Sequence, residues 1–187
     1  MKGVSGIVLA GGLGRRMGGV DKGLQALRGK PMVQWALERL APQVDDIVIN
    51  ANQNLERYRA FGYRVVPDEI GGFAGPLAGL HAGLKAVKHA LAVTAPCDSP
   101  FLPADLVVRL GQELKDNDLA VAKTGTQPHP VFALVRRQCR DSLGAFLAQG
   151  GRKIDAWYAS LKVVEVSFDD EAGAFRNINT LDELAKE

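Results

Sequence analysis

Short apolar runs alternate with helical patterns along the chain, and this alternation constrains the fold more than any other feature. Apolar residues recur at i, i+3, i+4 and i+7 in the segments between the runs, which is typical of helices packed on one face. The runs predict strands at 6–10, 46–51, 63–66, 91–95, 119–123, 131–135 and 162–168. The patterns predict helices at 31–40, at 55–60, from 75, from about 104, around 143–147 and at 180–186, where Thr180 is the N-cap.

Nearly continuous apolar strands that alternate with helices favour a parallel sheet that is covered on both faces. We therefore predict an α/β fold, a single three-layer α/β/α domain of Rossmann-like architecture. Strands 119–123 and 131–135 face each other across the polar turn 124–130, which adds a mixed edge to the mostly parallel sheet. The chain has 187 residues and no linker or repeat, so one domain is expected over 1–187.

Composition and charge exclude several classes of protein. The chain is 47% hydrophobic and 24% charged, which is enough for a core. Its formal net charge of +2 gives no global field for nucleic acid. Cys97 and Cys139 are too few for a disulfide scaffold and lack zinc-ligand spacing. No apolar run approaches the roughly 20 residues of a membrane span, and no signal peptide is evident. We expect a cytoplasmic protein without nucleic-acid or membrane partners.

A glycine-rich loop, LAGGLGRRMGGVDKG, follows the first predicted strand and occupies residues 9–23. A dinucleotide-binding turn needs a third glycine where this chain has Met17. A P-loop needs serine or threonine after Gly29-Lys30, where this chain has Pro31. Neither standard motif fits, so another kind of phosphate-binding loop is favoured.

The loop combines the two features that a triphosphate requires. Glycine permits the backbone N–H groups to turn inward and form an anion-binding nest. The glycines are Gly11, Gly12 and Gly14, and the nearby positive charges are Arg15, Arg16 and Lys22. The alternative is a surface loop with solvated arginines, and glycine alone would allow it.

Polar side chains follow three predicted strands, at the edge where open α/β sheets bind ligands. Asp98 lies in the segment 96–100, where a proline at each end restricts the backbone. Such a carboxylate suits Mg²⁺, which takes one or two carboxylates and completes its shell with phosphate and water oxygens. Asn50 and Asp68 suit the polar edge of a base. The alternative for all three is a turn or helix-capping role.

These segments together resemble a known family. The loop looks like the signature of nucleotidyltransferases that move a nucleoside monophosphate from an NTP to a phosphorylated acceptor. The resemblance is closer to the molybdenum cofactor guanylyltransferases, of the molybdopterin nucleotidyltransferase family, and covers nearly the whole chain. The matching segments are 9–23, Val48-Ile49-Asn50-Ala51-Asn52, Pro67-Asp68, Gly75-Pro76-Leu77-Ala78-Gly79, Pro96-Cys97-Asp98, His129-Pro130 and Asn177-Ile178-Asn179-Thr180.

The resemblance implies a reaction and a set of site residues. GMP would pass from Mg·GTP to the terminal phosphate of molybdopterin with release of pyrophosphate, and proteins that supply or accept the cofactor are possible partners. Residues 1–100 would form a nucleotide-binding half and 101–187 an acceptor-binding half. The nucleotide-binding residues would be Leu9, Ala10, Gly11, Gly12, Lys22, Asn50, Asp68 and Asp98. Arg16, Lys22 and Asp98 would be catalytic, with Asp98 also the ligand of Mg²⁺.

On the acceptor side the resemblance points to His129, Asn177 and Asn179. From the residues alone, His129 is equally a turn histidine held by prolines, and the asparagines are equally cap residues of the helix at 180–186. Guanine is preferred over cytosine by resemblance alone. A cytidylyltransferase, a non-catalytic nucleotide-binding adaptor and a nicotinamide-dependent oxidoreductase remain as alternatives, although the missing third glycine disfavours the last.

Overall fold

The computed structural model describes residues 2–12, 20–70 and 75–178. Its strands are β1 (Val4–Leu9), β2 (Ala26–Leu27), β3 (Lys30–Pro31), β4 (Asp46–Asn50), β5 (Arg64–Val66), β6 (Leu91–Pro96), β7 (Leu119–Thr124), β8 (Gln127–Arg136) and β9 (Val163–Ser167). Its α-helices are α1 (Met32–Leu40), α2 (Leu55–Arg59), α3 (Pro76–Ala86), α4 (Leu106–Leu114), α5 (Cys139–Ala148) and α6 (Ile154–Tyr158). Within these ranges, no helix has the length and apolarity to cross a membrane.

Seven of these strands form one sheet in the order β5-β4-β1-β6-β8-β7-β9. The pairs β5·β4, β4·β1, β1·β6 and β7·β9 are parallel. Strand β8 is antiparallel to both of its neighbours, β6 and β7. The predicted α/β class is confirmed, with four consecutive parallel strands on one side and the mixed part of the sheet on the other.

Helices cover both faces of the sheet, because alternate residues of each strand point to opposite sides. In β1, Val8 packs in a core cluster with α1, α4 and the ring of Tyr58 from α2. Its neighbour Ile7 packs in a second cluster with α3, α5 and Trp157 of α6. These two layers around one sheet are the predicted three-layer arrangement.

The structure departs from the predicted elements at the β7–β8 connection. The predicted polar turn 124–130 is wrong, because β8 already begins at Gln127 and pairs with Thr124. Gly125 has a φ of +54°, which suits a two-residue hairpin turn. Prolines are tolerated in this part of β8 because it pairs there with β7 alone, and the ladder to β6 covers only Leu134 to Arg136.

Two further elements have no counterpart among the predictions. Strands β2 and β3 form a small hairpin whose turn residues, Arg28 and Gly29, both have positive φ values, of 50° and 78°. Helix α6 is short and packs on the same face of the sheet as α3 and α5. The predicted helix at 180–186 lies outside the described residues.

Candidate functional site

The carboxyl ends of β5, β4, β1 and β6 lie side by side and carry most of the predicted nucleotide-binding residues. Beyond β1, the backbone N–H of Ala10 donates to the Asn50 carbonyl at 2.8 Å. The N–H of Cys97 donates to the Leu9 carbonyl at 3.0 Å. These bonds hold the start of the glycine-rich loop at the sheet edge. Among the residues that the structure describes, no atom lies within 4 Å of a Cβ placed on Gly12, so these residues leave room for a ligand beside this backbone.

Asn50 ends β4 and is 2% exposed, and its amide nitrogen makes two hydrogen bonds. Its Nδ2 donates to the Val66 carbonyl at 3.2 Å and to Asp68 Oδ1 at 2.8 Å. Its Oδ1 lies against backbone, because a Cβ on Gly11 would come within 2.8 Å of it and a Cβ on Gly79 would overlap it. Asn50 and Asp68 are therefore brought together, and two glycines make room for the amide.

Asn52 completes this group and was missed by the sequence reasoning. Its Nδ2 donates to Asp68 Oδ2 at 2.8 Å and to the Gly11 carbonyl at 3.1 Å. Its Oδ1 accepts from the Asp68 backbone N–H at 2.8 Å. Asn52 thus joins the glycine-rich loop to the carboxylate of Asp68. The signal was present, because Asn50 and Asn52 are two residues apart at a strand end.

Lys22 and Asp98 form an ion pair with Nζ 3.4 Å from Oδ2. Burial raises the pKa of Asp98, and the ammonium of Lys22 opposes that effect. In the part of the chain that the structure describes, no group of three or more His, Cys, Asp or Glu side chains could hold a metal ion. A metal at Asp98 would therefore take most of its oxygen ligands from substrate phosphates and water, which is the habit of Mg²⁺.

The segment 176–178 lies against Asp98, although the two are far apart in the sequence. The N–H of Ile178 donates to the Asp98 carbonyl at 3.0 Å. The buried Ser99 hydroxyl donates to Asn177 Oδ1. Asn177 therefore contacts Ser99, the residue that follows Asp98. Two other predicted site residues, Arg16 and Asn179, lie outside the described residues, as do Gly14 and Arg15 of the predicted nest.

His129 occupies the first part of β8, near the carboxyl end of β6. Its ring stacks on Phe175 with centroids 4.6 Å apart and planes 11° apart. Its Nε2 is 2.8 Å from the hydroxyl of Thr124. Burial lowers the pKa of His129, which favours the neutral ring. The structure therefore gives this histidine a stacked and hydrogen-bonded position within a strand.

Comparison with known proteins identifies the family to which the chain belongs. The MobA-like NTP transferase domain family matches residues 6–163. A molybdenum cofactor guanylyltransferase of Cupriavidus metallidurans is 55% identical over 97% of this chain and 92% of its own length. The enzyme of that name from Ralstonia nicotianae is 51% identical over 97% of this chain and 94% of its own length.

A solved structure supports the same assignment. Molybdopterin-guanine dinucleotide biosynthesis protein A from Archaeoglobus fulgidus superposes with a TM-score of 0.80 at 30% identity, over 97% of this chain and 95% of its own. A 4-diphosphocytidyl-2C-methyl-D-erythritol synthase from Anaerococcus prevotii, at 14% identity and a TM-score of 0.77, shares the fold over 99% of this chain and 94% of its own. The chain belongs to the family of MobA-like nucleotidyltransferases that includes the molybdenum cofactor guanylyltransferases.

Proposed function

We propose that this protein transfers GMP from GTP to the terminal phosphate of molybdopterin and releases pyrophosphate. One observation carries the proposal: the Lys22–Asp98 pair, the open backbone at Gly12 and the Asn50–Asp68 group lie along one sheet edge. That edge offers a cation, a buried carboxylate and a rigid polar pocket in the order that a nucleoside triphosphate needs. The curated relatives, which bear the guanylyltransferase name, favour GTP over CTP.

The phosphates would be held by backbone and by fixed positive charge. The N–H groups of Gly11 and Gly12 and the ammonium of Lys22 would bind phosphate oxygens, with Arg16 as a further cation. Charge-assisted hydrogen bonds of this kind contribute about 1.5–3 kcal/mol each. Because positioned donors stabilise charge as it develops, this arrangement favours the transition state over the bound substrate.

Asp98 would hold Mg²⁺, and its surroundings fit that ion. Among the described residues, Asp98 belongs to no group of three or more potential metal-ligating side chains, and it lies beside the place proposed for the phosphates. When bound, Mg²⁺ supplies charge neutralisation across phosphate oxygens. The ammonium of Lys22 counteracts the rise in the pKa of Asp98 that burial causes, which favours the ionised carboxylate that a metal ligand needs.

The base would lie against Asn50 and Asp68, together with the backbone of Leu9 and Ala10. A carboxylate can accept from the N1–H and the exocyclic amine of guanine at once. Cytosine offers one such donor group on the same edge. The Asn50 and Asn52 bonds hold Asp68 in one orientation, which suits a site that selects between bases.

The acceptor would approach from the half formed by residues 101–187, where His129, Asn177 and Asn179 would line its face. The acceptor's own phosphate is the nucleophile and attacks the α-phosphorus in line, so no protein nucleophile is required. The role of the protein in this step is to align two phosphates and to neutralise their charge. The stacked ring of His129 would contribute contact area to the acceptor rather than act as a strong base.

The decisive experiment offers both nucleotides to the protein at once. Purified protein is incubated with molybdopterin, Mg²⁺ and an equal mixture of GTP and CTP, and the dinucleotide products are separated. We expect the guanine dinucleotide to predominate, with pyrophosphate released in equal amount. Predominant formation of the cytosine dinucleotide would show that the protein is a cytidylyltransferase that uses CTP. Pyrophosphate at background, despite nucleotide binding, would identify a non-catalytic nucleotide-binding protein instead.

A further inference from the structure

A buried phenol reaches the residue that precedes Lys22. Tyr58 of α2 has no exposed surface and lies in the core cluster beneath the sheet edge. Its hydroxyl donates to Asp21 Oδ1 at 2.5 Å, and Asn54 Nδ2 donates to Asp21 Oδ2 at 3.0 Å. Both oxygens of the Asp21 carboxylate are therefore held from the α2 side. The burial that raises the pKa of Tyr58 keeps its hydroxyl protonated as the donor.

The backbone that follows Asp21 is packed just as closely. Residues Lys22–Leu24 form a short 3-10 turn. A Cβ on Gly23 would lie 2.6 Å from the Tyr58 hydroxyl oxygen and 3.0 Å from the sulfur of Cys97. Glycine is therefore required between these two side chains. The turn is confined between the phenol and the residue that immediately precedes Asp98.

Polar contacts complete the hold on this turn. The Asp21 carbonyl accepts from the Leu24 N–H at 3.3 Å and from the Gln25 side chain at 3.2 Å. The Gln25 carbonyl in turn accepts from the Met32 N–H at 2.9 Å, at the start of α1. From this framework the Lys22 side chain extends to Asp98.

We propose that Asp21 and Tyr58 are positioning residues, whose hydrogen bond fixes the turn that presents Lys22 to Asp98 and to the triphosphate. In this proposal neither side chain contacts the substrate. Phenylalanine would fill the same volume in the core, so the hydroxyl serves the turn rather than the packing. The inference rests on the proposed function only in assigning Lys22 and Asp98 to the nucleotide phosphates.

The test is a double-mutant cycle with a conservative rescue. Tyr58→Phe removes the donor, Asp21→Ala removes the acceptor, and Asp21→Asn retains an oxygen that can accept from the phenol. Each variant and the double variant are measured for kcat and KM for GTP, for Mg·GTP affinity by calorimetry, and for thermal unfolding. We expect Tyr58→Phe and Asp21→Ala each to lower kcat/KM about tenfold, which corresponds to about 1.4 kcal/mol. The Asp21→Asn variant should stay within about threefold of wild type.

Non-additivity distinguishes positioning from general stability. If one bond carries the effect, the double variant should be no worse than the poorer single variant. A matched control is Tyr158→Phe, which removes the hydroxyl of a half-buried tyrosine that donates to the Pro130 carbonyl at 2.7 Å. That control should leave KM for GTP unchanged. Additive losses, or wild-type kcat/KM in Tyr58→Phe with only the unfolding temperature lowered, would overturn the inference.

Measurements of GTP binding and GMP transfer by the wild-type protein test the proposed function separately from the positioning role. GMP transfer by wild type with unaffected variants would overturn the positioning role alone. If wild type binds Mg·GTP but transfers nothing, the proposed function fails and the affinity cycle still decides the inference. If wild type neither binds nor transfers, both are overturned.

Discussion

Asn52 and Asp68 exchange two hydrogen bonds of 2.8 Å beyond the ends of β4 and β5: the Asp68 backbone N–H donates to Asn52 Oδ1, and Asn52 Nδ2 donates to the Asp68 carboxylate. A third bond, from Asn52 to the Gly11 carbonyl at 3.1 Å, ties the same amide to the glycine-rich loop. One side chain therefore links the proposed base-binding carboxylate to the proposed phosphate-binding backbone. Asn52 is distant in sequence from both Asp68 and Gly11.

We expect Asn52→Ala to raise KM for GTP about tenfold and to reduce the preference for GTP over ITP, since Asp68 would lose its fixed orientation. Hydrogen bonds to a charged group contribute about 1.5–3 kcal/mol, and partial exposure reduces that figure here. Asn52→Asp should be worse, because it sets two carboxylates together. Exposed Gln53→Ala is the control. Steady-state kinetics with both nucleotides make the measurement, and an unchanged preference for GTP in Asn52→Ala would refute the role of this amide.

Two glycines of α3 make a matched pair for a second prediction. A Cβ at Gly79 would overlap the Asn50 amide, whereas a Cβ at Gly83 would meet the Ile7 side chain at 2.6 Å. Alanine favours a helix interior over glycine by up to about 1 kcal/mol, but overpacking a core costs about 1–3 kcal/mol. Gly79→Ala should weaken GTP binding at least about tenfold because Asn50 must move. Gly83→Ala should lower stability and leave nucleotide affinity near wild type.

Calorimetric titration with Mg·GTP and denaturant unfolding separate these two effects. Equal loss of affinity in both variants would mean that α3 acts as one rigid unit. Wild-type affinity in Gly79→Ala would show that the Asn50 amide plays no part in nucleotide binding.

We expect Asp98 to contribute to the rate of transfer but not to the free energy of unfolding. Burial raises its pKa in the folded protein, so its stability contribution is present below the ordinary value near 3.8 and is lost as pH rises through the folded value. At neutral pH the buried charge thus opposes folding. Asp98→Asn should keep or increase the free energy of unfolding while lowering transfer at least about 100-fold, a magnitude typical of lost charge stabilisation.

The measurement combines urea unfolding at pH 7 with a pyrophosphate-release assay. Asp118 offers a control carboxylate of structural type, because its Oδ2 accepts from the Lys162 N–H at 2.9 Å. Asp118→Asn should lower stability and retain transfer. Turnover at the wild-type rate in Asp98→Asn would exclude this residue as the metal ligand.

Much of this fold could be predicted from local sequence patterns, namely apolar runs, prolines and glycines. The run at 91–95 is apolar because β6 is covered on both faces, and its burial pattern shows this directly. Asp98 could be located because it follows that strand between two prolines. Helix α2 and its ending could be predicted because Gly62 adopts a φ of +83° just beyond it.

The rest depends on contacts between segments that are distant in sequence. Nothing near Tyr58 indicates that its hydroxyl will meet Asp21, which is 37 residues away. The bond from the Ile178 N–H to the Asp98 carbonyl likewise joins residues that are far apart in the sequence. Residues 127–130 belong to β8 although a polar turn was predicted there. Prolines are ordinarily excluded from the middle of sheets, and pairing with β7 alone permits Pro128 and Pro130 in this part of the strand.

The stability of this protein should fall as pH decreases from 7 to 5.5, with His129 as a contributor. Burial lowers the pKa of His129 and of His81 in the folded state. Below the ordinary value of about 6.5, the unfolded chain therefore binds protons that the folded protein does not. The stabilising contribution of the neutral ring is present above that value and is lost as pH falls through the folded pKa.

His129→Phe should make the free energy of unfolding less dependent on pH across this window, because phenylalanine can keep the stack on Phe175 and cannot take up a proton. The variant loses the bond to the Thr124 hydroxyl, so its stability at pH 7 should be somewhat lower than that of wild type. Urea unfolding at several pH values gives both quantities for each protein. An identical pH slope in the two proteins would show that His129 is protonated equally in the folded and unfolded states. A steeper slope in the variant would contradict the direction of the pKa shift.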